Sequence, residues 1–240
     1  RVHGAFGALE PTFAGNGSTE GHQAIMGHVV TNPYQVFNKE RIPPDIERLV
    51  EDAVTAVTGR AAIVIRYPET DDISGTVFID HSEIGPRHFT SKDHSEPLYV
   101  PIYASSDSLI QIALHQEVIP QSKIEAIGQE VRRLLTERGY RIARVIMRPF
   151  TGKPGNFKRV SPDRRDYGVD PDSETVIDQL VRADVPVHGI GKALAMFNQR
   201  GFVQGRSRKL GSDQDRIGAV RDFFSSSEGG LLLANLVDTD

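Results

Sequence analysis

Two amphipathic stretches constrain this chain more than anything else in it. In the first, Ile46, Leu49, Val50, Ala53, Val54 and Val57 recur at the period of a helix. Pro44 stands where a helix tolerates proline, and Gly59 stands where the helix should stop. In the second, the stripe is Ile124, Ile127, Val131, Leu134 and Leu135. Ser122-x-x-Glu125 reads as a capping box at its start, and Gly139 ends it. Around these helices lie the short runs Ala62–Arg66, Thr76–Asp80, Leu98–Ala104 and Ala143–Met147, which read as strands. Leu109–Leu114 reads as a further short helix. Residues 151–172, rich in Gly, Pro and Arg, read as a long loop. This middle part of the chain thus predicts about four strands and three helices, enough for an α+β domain of its own.

After Pro171 the pattern changes. Val176, Ile177, Leu180 and Val181 form a helical stripe, and Val185–Ile190 is a compact strand. Gly191 and Lys192 start the next helix, Ser212-x-x-Asp215 opens another, and Leu231–Val237 is a last apolar strand. Helices alternating with strands predict a parallel α/β sheet in this region. The length of 240 residues suits one large domain or two small ones. A formal net charge of -4 makes no electrostatic case for nucleic acid. No apolar run approaches the roughly 18 residues that would read as a membrane span. The absence of cysteine excludes disulfides and thiolate metal sites. His81, His88 and His94 follow no helical or hairpin spacing, so residues 81–97 read as a polar loop rather than a metal site.

Three segments have the residue types for chemistry. Gly15, Gly17 and Gly21 surround the adjacent hydroxyls Ser18 and Thr19, and Ala24-Ile25-Met26 follows. Loop, hydroxyl, then helix start is the layout of an anion site or an activated nucleophile. A glycine-rich turn with a Ser or Thr N-cap accounts for the same spacing. His188-Gly189-Ile190-Gly191-Lys192 places a lysine at a strand-to-helix junction, where it could reach a phosphate. It is not a Walker loop, because the glycine spacing differs and Ala193 follows the lysine. Asp238 and Asp240 end the last strand; such a pair suits a divalent cation, or is simply a solvated strand end.

Several motifs, in order, resemble one family. Gly21-His22-x-x-Ile25-Met26-Gly27 resembles the segment that follows the phosphorylated threonine of the phosphopentomutases, members of the alkaline-phosphatase superfamily. In that register the nucleophile position falls on Ser18. The family usually has threonine there, preceded by Lys-Asp, where this chain has Asn16-Gly17. Ile190-Gly191-Lys192 matches a further motif. Asn235-Leu236-Val237-Asp238-x-Asp240 resembles a segment whose second aspartate binds a catalytic metal. Ser105-Ser106-Asp107-Ser108, Arg144-Val145-Ile146 with Arg148-Pro149-Phe150, Gly155-Asn156-Phe157 and Arg165-Asp166-Tyr167 resemble segments of the family's cap domain. Residues 60–97 do not resemble the family closely and are longer than its usual connection.

The resemblance implies an α/β fold, part of a parallel-sheet alkaline-phosphatase-like core with an inserted α+β cap. Residues 1–33 and 174–240 would be core segments and residues 34–173 the cap. It implies a cytoplasmic isomerase that moves a phosphoryl group between C1 and C5 of a pentose phosphate, using two manganese ions and a phosphorylated enzyme hydroxyl. Ser18 would carry the phosphoryl group and Asp240 would bind metal. Ser105, Asp107, Arg144, Ile146 and Lys192 would hold the sugar phosphate. The remaining ligands would be an aspartate before Arg1, and an Asp-His pair and a histidine after Asp240, so the chain is expected to be a fragment. Two other readings stay open. One is another mutase or phosphatase of the superfamily, acting on a different sugar phosphate. The other is a non-catalytic module that binds sugar phosphates.

Overall fold

The computed structural model describes residues 10–15, 17–37, 42–66, 86–105, 107–203, 210, 212–226 and 229–236. The chain divides into two compact units. One is Tyr34–Asp170 with Phe197–Arg200; the other is Arg1–Pro33, Pro171–Met196 and Gly201–Asp240.

The larger unit is a six-stranded sheet with two helices packed on it. Its strands are β1 (Ala62–Arg66), β2 (Leu98–Ser105), β3 (Leu109–His115), β4 (Arg144–Lys153), β5 (Asn156–Arg159) and β6 (Arg165–Gly168). β1 is parallel to β2, β2 antiparallel to β3, and β3 parallel to β4. The other edge of β4 is shared: β6 pairs with Arg144–Met147 and β5 with Phe150–Lys153, both antiparallel. Helices α2 (Pro44–Thr58) and α3 (Gln121–Glu137) pack against each other and against the sheet. Ile46, Val50, Val54, Ile124, Ile127, Val131 and Leu135 bury their side chains there with Val100, Ile102, Ile110, Ile112, Val145 and Met147. Helix α2 begins at Pro44 and ends before Gly59, whose φ of 74° is the left-handed cap that glycine favours.

Four expectations are corrected in this unit. Leu109–Leu114 lies in strand β3, not in a helix. All seven residues of β3 are buried because the strand has a paired neighbour on each edge and side chains packed on both faces. Residues 151–172 are not one long loop: β4 runs on to Lys153 and turns at Gly155 into β5, and β6 follows a 3-10 turn at Ser161–Asp163. Ser122-x-x-Glu125 caps nothing, since α3 starts one residue earlier with Pro120 as N-cap and no side-chain cap bond. The unit therefore has six strands and two α-helices among the described residues. The expected strand Thr76–Asp80 lies outside those residues.

The smaller unit has four helices among the described residues: α1 (Ser18–Ile25), α4 (Val176–Arg182), α5 (Ala193–Met196) and α6 (Asp213–Ser225). Strands β7 (Val187–Ile190) and β8 (Leu231–Ala234) pair in parallel, as the helix-strand alternation predicts. Lys192 sits in the turn before α5 rather than in the helix, and β8 stops at Ala234, short of Val237. Ser212 caps α6 as expected, its hydroxyl accepting from the Asp215 amide at 3.2 Å. The described fold is mixed α/β, and no helix in it is long and apolar enough to cross a membrane.

Candidate active site

The glycine-rich stretch of the smaller unit folds around its own acidic residue. Gly17, not Ser18 or Thr19, is the N-cap of α1, and no side chain caps the helix. The simple N-cap reading of the two hydroxyls is therefore wrong. Ser18 is the first helical residue and is half-buried. Thr19 is buried, and its Oγ1 donates to the Met196 sulfur at 3.5 Å. Gln23 also ties α1 to α5, donating to the Met196 carbonyl at 3.3 Å. His22 Nδ1 donates to the Ser18 carbonyl at 2.7 Å.

Glu20, at 2% exposure, is the residue that sequence reasoning missed. Its carboxylate lies against the loop: a Cβ at Gly15 would stand 2.7 Å from one oxygen, and a Cβ at Gly17 would collide with the other. Both glycines are thus needed for the close approach of this side chain. The signal available in the sequence was an acid three residues after the N-cap, a position that favours a carboxylate reaching back to the helix start.

Lys192 follows β7, whose carboxyl end lies beside that of β8: Ile190 is opposite Ala234, and Asn235 donates to the Ile190 carbonyl at 3.1 Å. Gly191 adopts a φ of 76°, and a Cβ there would meet the Asn235 carbonyl at 2.8 Å. Close approach and left-handed backbone together explain this glycine. Asp240 lies outside the described residues, and so does the side chain of Ser105.

In the larger unit Asp107 and Arg144 lie close together at one end of the sheet. Arg144, at 1% exposure, places its guanidinium 3.5 Å from Asp107 and 3.7 Å from Asp166. Asp166 is also held by both arms of Arg164, at 2.6 and 2.7 Å. Burial alone would lower the Arg164 pKa, but the bonds to Asp166 outweigh it and raise it. Ile146 lies on the same face of β4 as Arg144, two residues along. Ser108, with a φ of 53°, fixes the turn that holds Asp107; its hydroxyl donates to the Gln35 carbonyl at 2.5 Å and accepts from the Ala143 amide at 3.2 Å. Elsewhere, His88 packs edge-on against Tyr99, and His94 sits in an exposed turn. Among the described residues, no three His, Cys, Asp or Glu side chains gather as a metal site.

No protein-family model matches the chain. Curated proteins do, two phosphopentomutases among them. The phosphopentomutase of Carboxydothermus hydrogenoformans is 35% identical over 237 residues, covering 99% of this chain and 55% of its own length. The chain is a relative of the phosphopentomutases. The phosphopentomutase of Kosmotoga olearia is 31% identical over 237 residues, covering 99% of this chain and 56% of its own length. The chain therefore spans about half the length of the phosphopentomutases it matches.

Proposed function

We propose that the chain supplies the cap, residues 34–173, and part of the alkaline-phosphatase-like core of a phosphopentomutase-type isomerase. The observation that carries this reading is the similarity to two phosphopentomutases over 99% of the chain. In it, Ser18 carries the phosphoryl group. The phosphorylated serine gives its phosphorus to one hydroxyl of the pentose phosphate, and that hydroxyl's proton passes to Ser18 Oγ. The bisphosphate then returns its other phosphoryl group to Ser18, and the proton goes to the sugar oxygen left behind. Two features support Ser18 over Thr19. The Thr19 hydroxyl is buried and bound to Met196, and Ser18 opens the helix, where backbone N–H groups and the dipole favour an anion.

On the larger unit, Asp107 and Arg144 would take the sugar hydroxyls and a phosphate oxygen, beside Ile146 and Ser105, and Lys192 would add a point charge. The reading includes two manganese ions with Asp240 as one ligand. Such ions lower the pKa of a nucleophile and neutralise charge on a transferring phosphoryl group. The described residues gather no metal site of their own, so the roles given above belong to the chain's own side chains.

A second reading, a superfamily phosphatase or a mutase for a different sugar phosphate, is favoured by one observation. Gly17 stands where the family has an aspartate, and the carboxylate packed against Gly17 is that of Glu20. The test is turnover of ribose 1-phosphate by the full-length protein with manganese. Conversion to ribose 5-phosphate, phosphate found on Ser18 by mass spectrometry, and loss of turnover in Ser18→Ala by at least about a thousandfold are expected. Phosphate on Thr19, or activity retained in Ser18→Ala, would remove Ser18 from the mechanism. Release of inorganic phosphate without isomerisation would favour the phosphatase.

A further inference from the structure

Three side chains that the proposed phosphoryl transfer does not use meet in the smaller unit: His28, Asp172 and Ser173. His28 follows α1. Gly27 makes the left-handed turn after the helix, with a φ of 85°, and the His28 amide donates to the Gln23 carbonyl at 2.9 Å. The imidazole that follows is buried, at 5% exposure. Asp172 and Ser173 lie in the turn before α4. Just beyond them Thr175 closes a capping box with Asp178, and the Val176 amide donates to the Met26 carbonyl at 2.8 Å. That main-chain bond joins the two segments close to the side chains that meet.

The geometry fixes where the protons sit. Ser173 Oγ lies 2.6 Å from His28 Nδ1, and Asp172 Oδ1 lies 3.1 Å from Nε2. A carboxylate only accepts, so in the neutral ring Nε2 carries the hydrogen and donates it to Asp172. Nδ1 is then an acceptor, and the Ser173 hydroxyl donates to it. A hydroxyl bonded to a base, with the base held by a carboxylate, is the arrangement that activates a serine. Ser173 is exposed while His28 is buried, so a ligand reaches the nucleophile while packing holds the base. The surroundings select the ligand. Asp170, Asp172, Glu174 and Asp178 crowd one short segment, and Arg182 is paired with Glu174. A phosphate dianion is repelled there, and an uncharged ester is not. Val29, next to His28, and Val176, whose side chain lies against Gly27, are exposed apolar groups on the two segments. They offer a short acyl chain an apolar surface.

We propose that Ser173 is a nucleophile, with His28 as its base, that takes the acyl group of small uncharged carboxylic esters. Ser173 Oγ bonds to the ester carbonyl carbon while its proton passes to His28 Nδ1. The bond from that carbon to the alcohol oxygen then breaks, and the Nδ1 proton goes to the departing oxygen. Water attacks the acyl-serine and gives one proton to Nδ1. That proton returns to Ser173 Oγ as the carboxylic acid leaves. Asp172 is a positioning residue: it holds the ring tautomer, and its charge stabilises the imidazolium present between the transfers. The activity stands apart from the mutase reading and uses neither Ser18 nor Lys192.

The test is incubation of the full-length protein with para-nitrophenyl acetate, read by release of nitrophenol and by mass spectrometry of the peptide that holds Ser173. An acetyl group on Ser173 is the expected result. Ser173→Ala should abolish that adduct, and His28→Gln should slow its formation by about a hundredfold or more. Asp172→Asn should slow it as well, and Asp172→Glu should recover part of the rate, which a merely structural contact would not do. Ser95→Ala, in an exposed turn elsewhere, should change nothing. Acetyl groups on lysines alone would overturn the proposal. So would a Ser173 adduct that forms equally fast in His28→Gln. Should His28→Gln unfold, the Asp172 variants decide, because that residue is exposed: equal rates in Asp172→Asn and wild type would overturn the proposal.

Discussion

The two units spend their apolar residues differently. In the larger, the stripes of α2 and α3 close over one sheet face, and the buried side chains of both helices and three strands form one contiguous cluster. Among the described residues, the large apolar side chains exposed in the smaller unit are Ile25, Val29, Val176, Val181, Ile217, Phe224 and Leu236, and in the larger Val36 and Ile63. Apolar burial is the main favourable term in folding, so the larger unit has what it needs to stand alone. The Ser18 helix belongs to the smaller unit, and Asp107 and Arg144 to the larger.

The strongest way to break this contrast is to cut it. A chain of residues 34–173 should fold by itself and melt in one cooperative transition; an unfolded circular dichroism spectrum would mean that its core depends on the rest of the protein. Within the intact chain, Met147→Ala should cost about 2–5 kcal/mol by urea denaturation, because Met147 is fully buried in the main cluster. Phe224→Ser, at 75% exposure in the smaller unit, should stay within about 0.5 kcal/mol. Equal losses would erase the distinction. Gly128→Ala sharpens it. Alanine is the better helix former by about 1 kcal/mol, yet a Cβ at Gly128 would collide with the Tyr167 ring and stand 2.7 Å from Met147. Overpacking of that kind should destabilise by about 1–3 kcal/mol, so a rise in thermal midpoint would show that the α3–sheet contact is looser than described. The smallest effect compares two serines: Ser212→Ala should cost about 0.5–2 kcal/mol because its hydroxyl caps α6. Ser122→Ala, past the start of α3, should change stability by less than about 0.5 kcal/mol.

These serines also show what the sequence could and could not say. Both precede an acid by three residues, so the local pattern is the same. Pro120 decides between them, because proline fixes its own φ and lets α3 begin directly after it. Helix α2 is legible because period, proline and glycine agree. Strand β3 is not, because a central strand buried on both faces loses the alternation that marks a strand; its length and its two isoleucines were the better guide. The hairpin of β4 and β5 hides in a glycine- and proline-rich run, because Gly152 and Gly155 serve a tight turn there, with φ values of 106° and 79°. Of the expected substrate residues, Asp107 and Arg144 are named by resemblance, and they lie close together in the fold. Glu20 is not legible, since nothing local shows that two glycines make room for its carboxylate.

The succession of β3, α3 and β4 has a kinetic consequence. Leu109 pairs with Arg144, and seven such pairs lie in register across this parallel contact. The connection closed, residues 116–143, carries α3, and that helix covers the pair it joins. The β1–β2 contact closes a connection of similar length, residues 67–97, so closure cost alone does not rank the two. The return does: seven register pairs with a helix packed on them, against five register pairs. Substitutions at Ile110 or Val145 should then slow folding, while those at Val64 or Val100 should chiefly hasten unfolding. The strand that carries Arg144 thus belongs to the part of the sheet that forms earliest and opens last.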